Sequence, residues 1–136
     1  MGKAVVICII DDDDVYQYTM TRALKSDSLV KKILVFSDGE EALDFMIENI
    51  ASNDNLPDVI FLDVNMPIMD GWQFLEEYIK LKPRVGKQIA IYMVTSSVDP
   101  VDVDRAAKFS EISDYLVKPI QPDQIRELVA AMDSKE

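Results

Sequence analysis

The strongest constraint on the fold is an alternation between short, unbroken apolar segments and amphipathic segments. Five apolar runs rich in β-branched residues occupy residues 4–10, 33–36, 59–62, 89–94 and 115–117. Runs without polar alternation are typical of strands that are covered on both faces. The pattern therefore predicts five strands, each followed by a helix.

Helix-start signals come after the apolar runs. Aspartate precedes three of the amphipathic segments, at Asp38, Asp70 and Asp99, and Pro122 opens the last one. Aspartate is favoured at the N-cap and proline at the first helical position. A further helix over residues 15–24 is required by its neighbours, and we expect Asp13 or Asp14 to cap it.

This order of elements predicts an α/β fold with a doubly wound, five-stranded parallel sheet. Alternating strands and helices form right-handed crossovers, with helices on both faces of the sheet. The number of strands suits the flavodoxin-like order 2-1-3-4-5, in which ligands bind between strands 1 and 3 at their C-terminal ends. With 136 residues, we expect one domain over residues 1–136, with its core at about 4–132.

Composition excludes several classes of function. The formal charge of −11 disfavours direct nucleic-acid binding, because the phosphate backbone is also negative. The absence of histidine excludes a Ser-His-Asp triad and an imidazole zinc site. The single cysteine, Cys8, excludes an internal disulfide framework. The sequence offers no export signal and no apolar stretch of membrane-spanning length, so we expect a cytoplasmic protein without membrane association.

Polar residues that can bind metals or react lie where the predicted strands end. Strand 1 runs into Asp11 and Asp12, strand 3 into Asp63, strand 4 into Thr95 and strand 5 into Lys118. The carboxyl ends of these strands lie at one edge of the predicted sheet. Converging carboxylates repel one another unless a cation intervenes, and oxygen-only ligands favour Mg²⁺. A carboxylate beside Mg²⁺ and a lysine is suited to attack phosphorus and form an aspartyl-phosphate.

These residues also have simpler interpretations. A run of four aspartates, residues 11–14, is by itself typical of a solvated helix start, where negative charge suits the helix dipole. Within that run the metal-binding pair can shift by one residue, although the length of the strand favours Asp11 and Asp12. Only the joint placement at four strand ends favours a shared site.

Five segments together resemble one family. They are CIIDDD at 8–13, PDVIFLDVNMP at 57–67, MDG at 69–71, MVTSS at 93–97 and DYLVKP at 114–119. In this order and spacing, the chain resembles the receiver domain of two-component response regulators. It is most similar to the stand-alone, chemotaxis-type members that consist of one domain. The resemblance spans nearly the whole chain.

The resemblance implies a role for each matching residue. Asp63 is the expected phosphoacceptor, with Thr95 and Lys118 as its reaction partners. Asp11, Asp12 and Asp63 would bind Mg²⁺ together with the backbone carbonyl of Asn65. Thr95 and Tyr115 would form the switch, and the peptide bond before Pro119 is typically cis in the family. Asn65 and Ser97 occupy positions that tune dephosphorylation.

The function implied is a phosphorylation-activated switch. A histidine kinase or phosphotransfer protein would phosphorylate Asp63, and the surface of helix 4, strand 5 and helix 5 would then control a downstream protein partner. Such a protein is not an enzyme beyond self-phosphorylation from small donors and autodephosphorylation. We expect a monomer or a weak dimer.

Two alternatives remain open. One is a receiver-like scaffold that works without phosphorylation, although every expected chemical residue is present. The other is an aspartate-nucleophile phosphohydrolase of the haloacid-dehalogenase type, which would require a second aspartate where this chain has Asn65.

Overall fold

A computed structural model describes residues 4–96 and 99–133. Five strands are present: β1 Val5–Ile10, β2 Val30–Phe36, β3 Val59–Asp63, β4 Ala90–Thr95 and β5 Ile112–Val117. Five helices alternate with them: α1 Asp14–Leu24, α2 Gly39–Glu48, α3 Gly71–Leu81, α4 Pro100–Ala107 and α5 Pro122–Asp133. A short 3₁₀ turn, Lys82–Arg84, comes after α3. Ser97 and the outermost residues of the expected domain lie outside the described part.

The strands form one sheet in the order β2-β1-β3-β4-β5, and all four neighbouring pairs are parallel. This confirms the predicted fold class and strand order. Every residue of β1 and β3 is buried, as expected for central strands that helices cover on both sides.

The two edge strands begin earlier than the apolar runs indicate. β2 starts at Val30 and includes the exposed residues Lys31 and Lys32. β5 starts at Ile112 and includes the exposed residues Ser113 and Asp114. Edge strands meet solvent, and polar side chains there discourage pairing with other chains. Hydrophobicity alone therefore locates the buried parts of these strands and misses their solvent-exposed first residues.

The core has two layers because successive strand side chains point to opposite faces of the sheet. In β1, Cys8 and Ile10 pack on the side of α2, α3 and α4, while Ile7 and Ile9 pack on the side of α1 and α5. The central strands of the sheet are therefore buried on both faces.

Aspartates cap four of the helices. Asp13, Asp38, Asp70 and Asp99 each precede a helix and accept backbone N–H groups from its first turn. These contacts confirm the helix starts predicted from the sequence, including the capping role of Asp13. Among residues 4–96 and 99–133, no helix combines the length and apolar character needed to cross a bilayer.

Candidate functional site

The backbone just beyond the strands fixes the loops that carry the polar residues. The N–H of Asp11 donates to the carbonyl of Phe36 (3.0 Å), and that of Lys118 donates to the carbonyl of Thr95 (2.7 Å). These bonds continue the sheet ladder past the last residues of β1 and β5. The side chains just beyond the strands are therefore held at the same edge of the sheet.

Three carboxylates meet at this edge. Asp11 and Asp63 are 2% and 5% exposed, whereas Asp12 is exposed. One carboxylate oxygen from each of the three lies within 4.8 Å of the others. The structure thus brings together the three acidic side chains that the resemblance implied as metal ligands. Their hard oxygen atoms and short separations fit a divalent cation such as Mg²⁺.

Asn65 lies on the loop after β3. Its backbone N–H donates to Oδ1 of Asp63 over 3.4 Å. This contact keeps the start of the loop against the carboxylate. The proposed ligand role of the Asn65 carbonyl stays a prediction.

Lys118 enters the group from the end of β5. Its Nζ lies 2.8 Å from Oδ2 of Asp11 and 3.7 Å from Oδ2 of Asp63. Burial lowers the pKa of Lys118, but the hydrogen bond and charge of Asp11, followed by the charge of Asp63, raise it above its usual value. The lysine is therefore a permanent cation beside the Asp63 carboxylate.

Asp63 is electrostatically unfavourable as a carboxylate. Burial and then the charge of Asp11 raise its pKa to about 6. Lys118 and the Asn65 N–H lower the pKa in part, and Asp12 raises it by a smaller amount. One lysine thus does not neutralise three clustered carboxylates. A bound divalent cation would favour the ionised, nucleophilic form.

Thr95 and Tyr115 lie on neighbouring strands close to this group. Thr95 is 1% exposed at the last position of β4. Tyr115 is half-buried on β5, and its hydroxyl oxygen is buried. Burial raises the pKa of Tyr115, the Thr95 hydroxyl lowers it in part, and Asp102 and Asp99 of the α4 region raise it further. The two side chains implied as a switch are therefore adjacent in the structure.

A glycine allows α3 to start directly behind Asp63. A Cβ on Gly71 would lie 2.5 Å from the carbonyl oxygen of Asp63 and 3.1 Å from the Cα of Val64. The Gly71 N–H donates to the Val64 carbonyl (3.0 Å). The segment 64–70 is thus pinned at both of its ends, and only glycine permits this approach.

The loop between β3 and α3 contains a strained turn that the sequence did not reveal. Ile68 has φ 66°, and the Met69 N–H donates to the Pro67 carbonyl (2.6 Å) across it. This arrangement is a γ-turn, which is uncommon with a positive φ and strained for a β-branched residue. The Ile68 side chain is exposed.

Two residues of α1 also belong to the site and were missed. Gln17 donates from Nε2 to the backbone carbonyl of Asp11. The ring of Tyr16 lies beneath the Lys118 ammonium, 5.1 Å from the ring centroid. Helical phase was the available signal, because Tyr16 shares the face of Met20 and Leu24, which are buried. The apolar periodicity of this segment is weak, so the sequence analysis did not identify this face of the helix.

One further expectation agrees with the structure. The Lys118–Pro119 peptide bond is cis, as the resemblance implied.

Trp72 is buried and packs against Phe109, with ring centroids 6.0 Å apart, while the Arg105 guanidinium lies 4.8 Å from the Trp72 centroid. Trp72 is therefore a packing residue between α3 and α4.

Comparison with known proteins points to one family. The family model described as "Response regulator receiver domain" matches residues 7–130. A protein-glutamate methylesterase/protein-glutamine glutaminase of Azospirillum brasilense is 29% identical over 124 residues. That alignment covers 91% of this chain and only 29% of the relative. The chain thus spans less than a third of that protein.

Solved structures show the same fold. A two-component response regulator from Cytophaga hutchinsonii superposes with a TM-score of 0.83 at 23% identity, covering 98% of this chain and 99% of that chain. The Mn²⁺-bound form of response regulator Rcp1 superposes with a TM-score of 0.70 at 25% identity, covering 96% of this chain and 92% of that one. The fold is therefore shared with both.

Proposed function

The chain belongs to the response regulator receiver domain family of two-component signalling, and from this premise we propose that it is a switch activated by phosphorylation of Asp63. The observation that carries the proposal is the position of the Asp63 carboxylate. It lies within 4.8 Å of the Asp11 and Asp12 carboxylates and 3.7 Å from the Lys118 ammonium. This arrangement provides a nucleophile, a cation site and a fixed positive charge in one place.

The proposed reaction moves one phosphoryl group. The donor is a histidine kinase or a phosphotransfer protein, and its phosphorus–nitrogen bond breaks as a carboxylate oxygen of Asp63 bonds to phosphorus. The imidazole nitrogen leaves with the electron pair and takes a proton. Small donors such as acetyl phosphate would react in the same way. Water later cleaves the acyl phosphate, so the chain carries out no chemistry beyond its own phosphorylation and dephosphorylation.

A divalent cation fits the acidic group, and we propose Mg²⁺ as the resident ion. Asp11, Asp12, Asp63 and the Asn65 carbonyl would hold it, and its chemistry is neutralisation of charge on the carboxylates and the phosphoryl oxygens. The Mn²⁺-bound form of Rcp1 supports a divalent ion in a protein of this fold. Asp63 needs such neutralisation, since its pKa of about 6 shows how unfavourable its charge is.

After transfer, different side chains of the pocket would contact the phosphoryl group and respond to it. Lys118 is within a short movement of Asp63 and would pair with a phosphoryl oxygen. Thr95, at the end of β4, would donate its hydroxyl to another. Tyr115 packs against Thr95 and would follow it inward. The new group adds about −1.5 to −2 charges, enough to favour one of two packings of the surrounding elements.

The output surface in this proposal consists of α4, β5 and α5. Helix α4 contacts α3 through Trp72, Arg105 and Phe109. A movement of Thr95 and the loop after it would therefore shift α4. A downstream protein would recognise the changed surface. We propose a protein partner rather than a nucleic acid, given the net charge of −11, and a monomer or weak dimer. Because kinase donors are phosphorylated from ATP, we place the encounter in the cytoplasm.

The direct test is intact-mass spectrometry after incubation with acetyl phosphate and Mg²⁺. The wild type should gain one phosphate-sized adduct that hydroxylamine removes, and Asp63→Asn should gain none. Asp54→Asn, an exposed aspartate outside the pocket, is the matched control and should behave as the wild type. If neither acetyl phosphate nor a phosphorylated histidine protein modifies the wild type, a scaffold that works without phosphate is the better account.

A further inference from the structure

Tyr16 lies on the pocket-facing side of α1. It stands one helical turn before Met20 and two before Leu24, which are both buried. Its ring is half-buried and packs against the core layer that α1 and α5 share. The helix cap fixes this position, because Asp13 accepts the N–H groups of Val15 (3.0 Å) and Tyr16 (3.1 Å). The ring is thus held by both the backbone and the core.

The ring supplies a third contact to the pocket lysine. The Lys118 ammonium lies 5.1 Å from the Tyr16 centroid, within the ~6 Å range of cation–π interactions. The same ammonium lies 2.8 Å from Asp11 and 3.7 Å from Asp63. A lysine has a flexible four-carbon stem, so contacts at the ammonium alone leave the side chain several conformations. The aromatic face limits that freedom.

The ring rather than the hydroxyl makes this contact. The Tyr16 hydroxyl oxygen is buried, and within the described part of the chain it has no hydrogen-bond partner. An unpaired buried hydroxyl costs free energy, so packing alone would favour phenylalanine here. What the position requires is an aromatic face opposite a cation.

We propose that Tyr16 is a positioning residue, whose ring holds the Lys118 ammonium between Asp11 and Asp63 for phosphoryl transfer. The role in transfer rests on the proposed function, whereas the contact itself exists without it. The two parts therefore need separate measurements.

Proton NMR tests the contact in the protein without a phosphodonor. The ring current of Tyr16 should shift the Lys118 ε-methylene protons upfield in the wild type. Tyr16→Phe should keep that shift and Tyr16→Met, which fills a similar volume without a ring, should abolish it. Tyr18 is the matched control, since it is 63% exposed on the same helix and contacts Arg22 instead. Tyr18→Met should leave the Lys118 protons unchanged. An unchanged shift in Tyr16→Met would overturn the proposal.

Phosphorylation kinetics test the consequence. At saturating Mg²⁺, Tyr16→Met should lower the rate of phosphorylation by acetyl phosphate by about two- to five-fold, the rate equivalent of one exposed cation–π contact. Tyr16→Phe should restore the rate, and the Mg²⁺ affinity should be the same in all variants. A general structural defect would instead weaken Mg²⁺ binding as well. Equal rates for Tyr16→Met and the wild type, or equally slow rates for Tyr16→Phe and Tyr16→Met, would overturn the positioning role.

The two measurements also separate this proposal from the proposed function. A wild type that accepts no phosphoryl group would overturn both the switch and the role of Tyr16 in transfer. The proton shift would still decide whether the ring holds the lysine.

Discussion

Lys118 forms a closer ion pair with Asp11 than with Asp63. Its ammonium lies 2.8 Å from Oδ2 of Asp11 and 3.7 Å from Oδ2 of Asp63. In the proposed reaction, the lysine is therefore already close to the place where phosphoryl charge would develop. Because a small shift would bring it onto a phosphoryl group, the pocket needs little reorganisation to stabilise the product.

The charge of Asp63 should destabilise the fold at neutral pH when Mg²⁺ is absent. Its pKa is raised from 3.8 to about 6. The protonated carboxyl therefore contributes fully to the free energy of unfolding below pH 4, and this contribution is lost as the pH rises through 6. Asp63→Asn removes this cost. At pH 7.5 it should increase the free energy of unfolding by about 3 kcal/mol, and the gain should vanish near pH 4. Urea unfolding at the two pH values measures it, with Asp54→Asn as an exposed control that should show neither effect.

Mg²⁺ should stabilise the protein through the acidic group. An ion that binds only the folded state raises the melting temperature by mass action. Millimolar Mg²⁺ should therefore raise the melting temperature of the wild type and leave that of Asp12→Ala unchanged. Asp12 is the best of the three ligands to remove, since its side chain is exposed and its loss leaves the core intact. Asp14→Ala, also exposed but outside the group, should respond as the wild type does. An equal response in Asp12→Ala would contradict the assignment.

Gly71 should not tolerate a side chain. A Cβ there would come within 2.5 Å of the Asp63 carbonyl oxygen, so α3 and the loop before it would have to move. Gly71→Ala should lower the free energy of unfolding by about 1–3 kcal/mol, as overpacking does in cores. The control is Gly86→Ala, whose Cβ would first meet the amide group of the exposed Asn53 side chain. That side chain can turn away, but it then loses its exposed hydrogen bond to the Gly86 carbonyl. The loss should therefore be about 1 kcal/mol or less, and smaller than that of Gly71→Ala.

Trp72 should report the switch. It is the only tryptophan, and its ring contacts Arg105 and Phe109 at the α4 side. If phosphorylation moves α4, the phosphoryl mimic beryllofluoride should change the tryptophan emission in the presence of Mg²⁺. Thr95→Val keeps the buried volume of the side chain but removes its hydroxyl, so it should bind the mimic and show a much smaller change. An emission change of full size in Thr95→Val would show that Thr95 does not transmit the signal.

The sequence was sufficient for the strand order and for the members of the acidic group. Central strands such as β1 are continuous apolar runs, so the residues directly after that strand, Asp11 and Asp12, must lie at the C-terminal edge. The edge strands were less predictable, because Lys31 and Asp114 face solvent and interrupt the apolar pattern. In these strands the hydrogen-bonded length exceeds the buried length.

Other features depend on three-dimensional contacts that no local pattern encodes. Tyr16 reaches Lys118 only because the fold brings the start of α1 close to the residue that follows β5, more than a hundred positions later in the sequence. The positive φ of Ile68 belongs to a turn within the connection between β3 and α3. A β-branched residue gives no hint of such a turn, since its own preference is against it.

The central claim is that Asp63 itself takes the phosphoryl group. The most direct measurement is reduction of the acetyl phosphate-treated protein with borohydride, followed by peptide mass spectrometry. An acyl phosphate on Asp63 is reduced to the alcohol, so this position should be read as homoserine, in the wild type only after phosphorylation and with Mg²⁺ present. Homoserine at Asp11 or Asp12, or none anywhere despite a phosphate-sized adduct, would contradict the account.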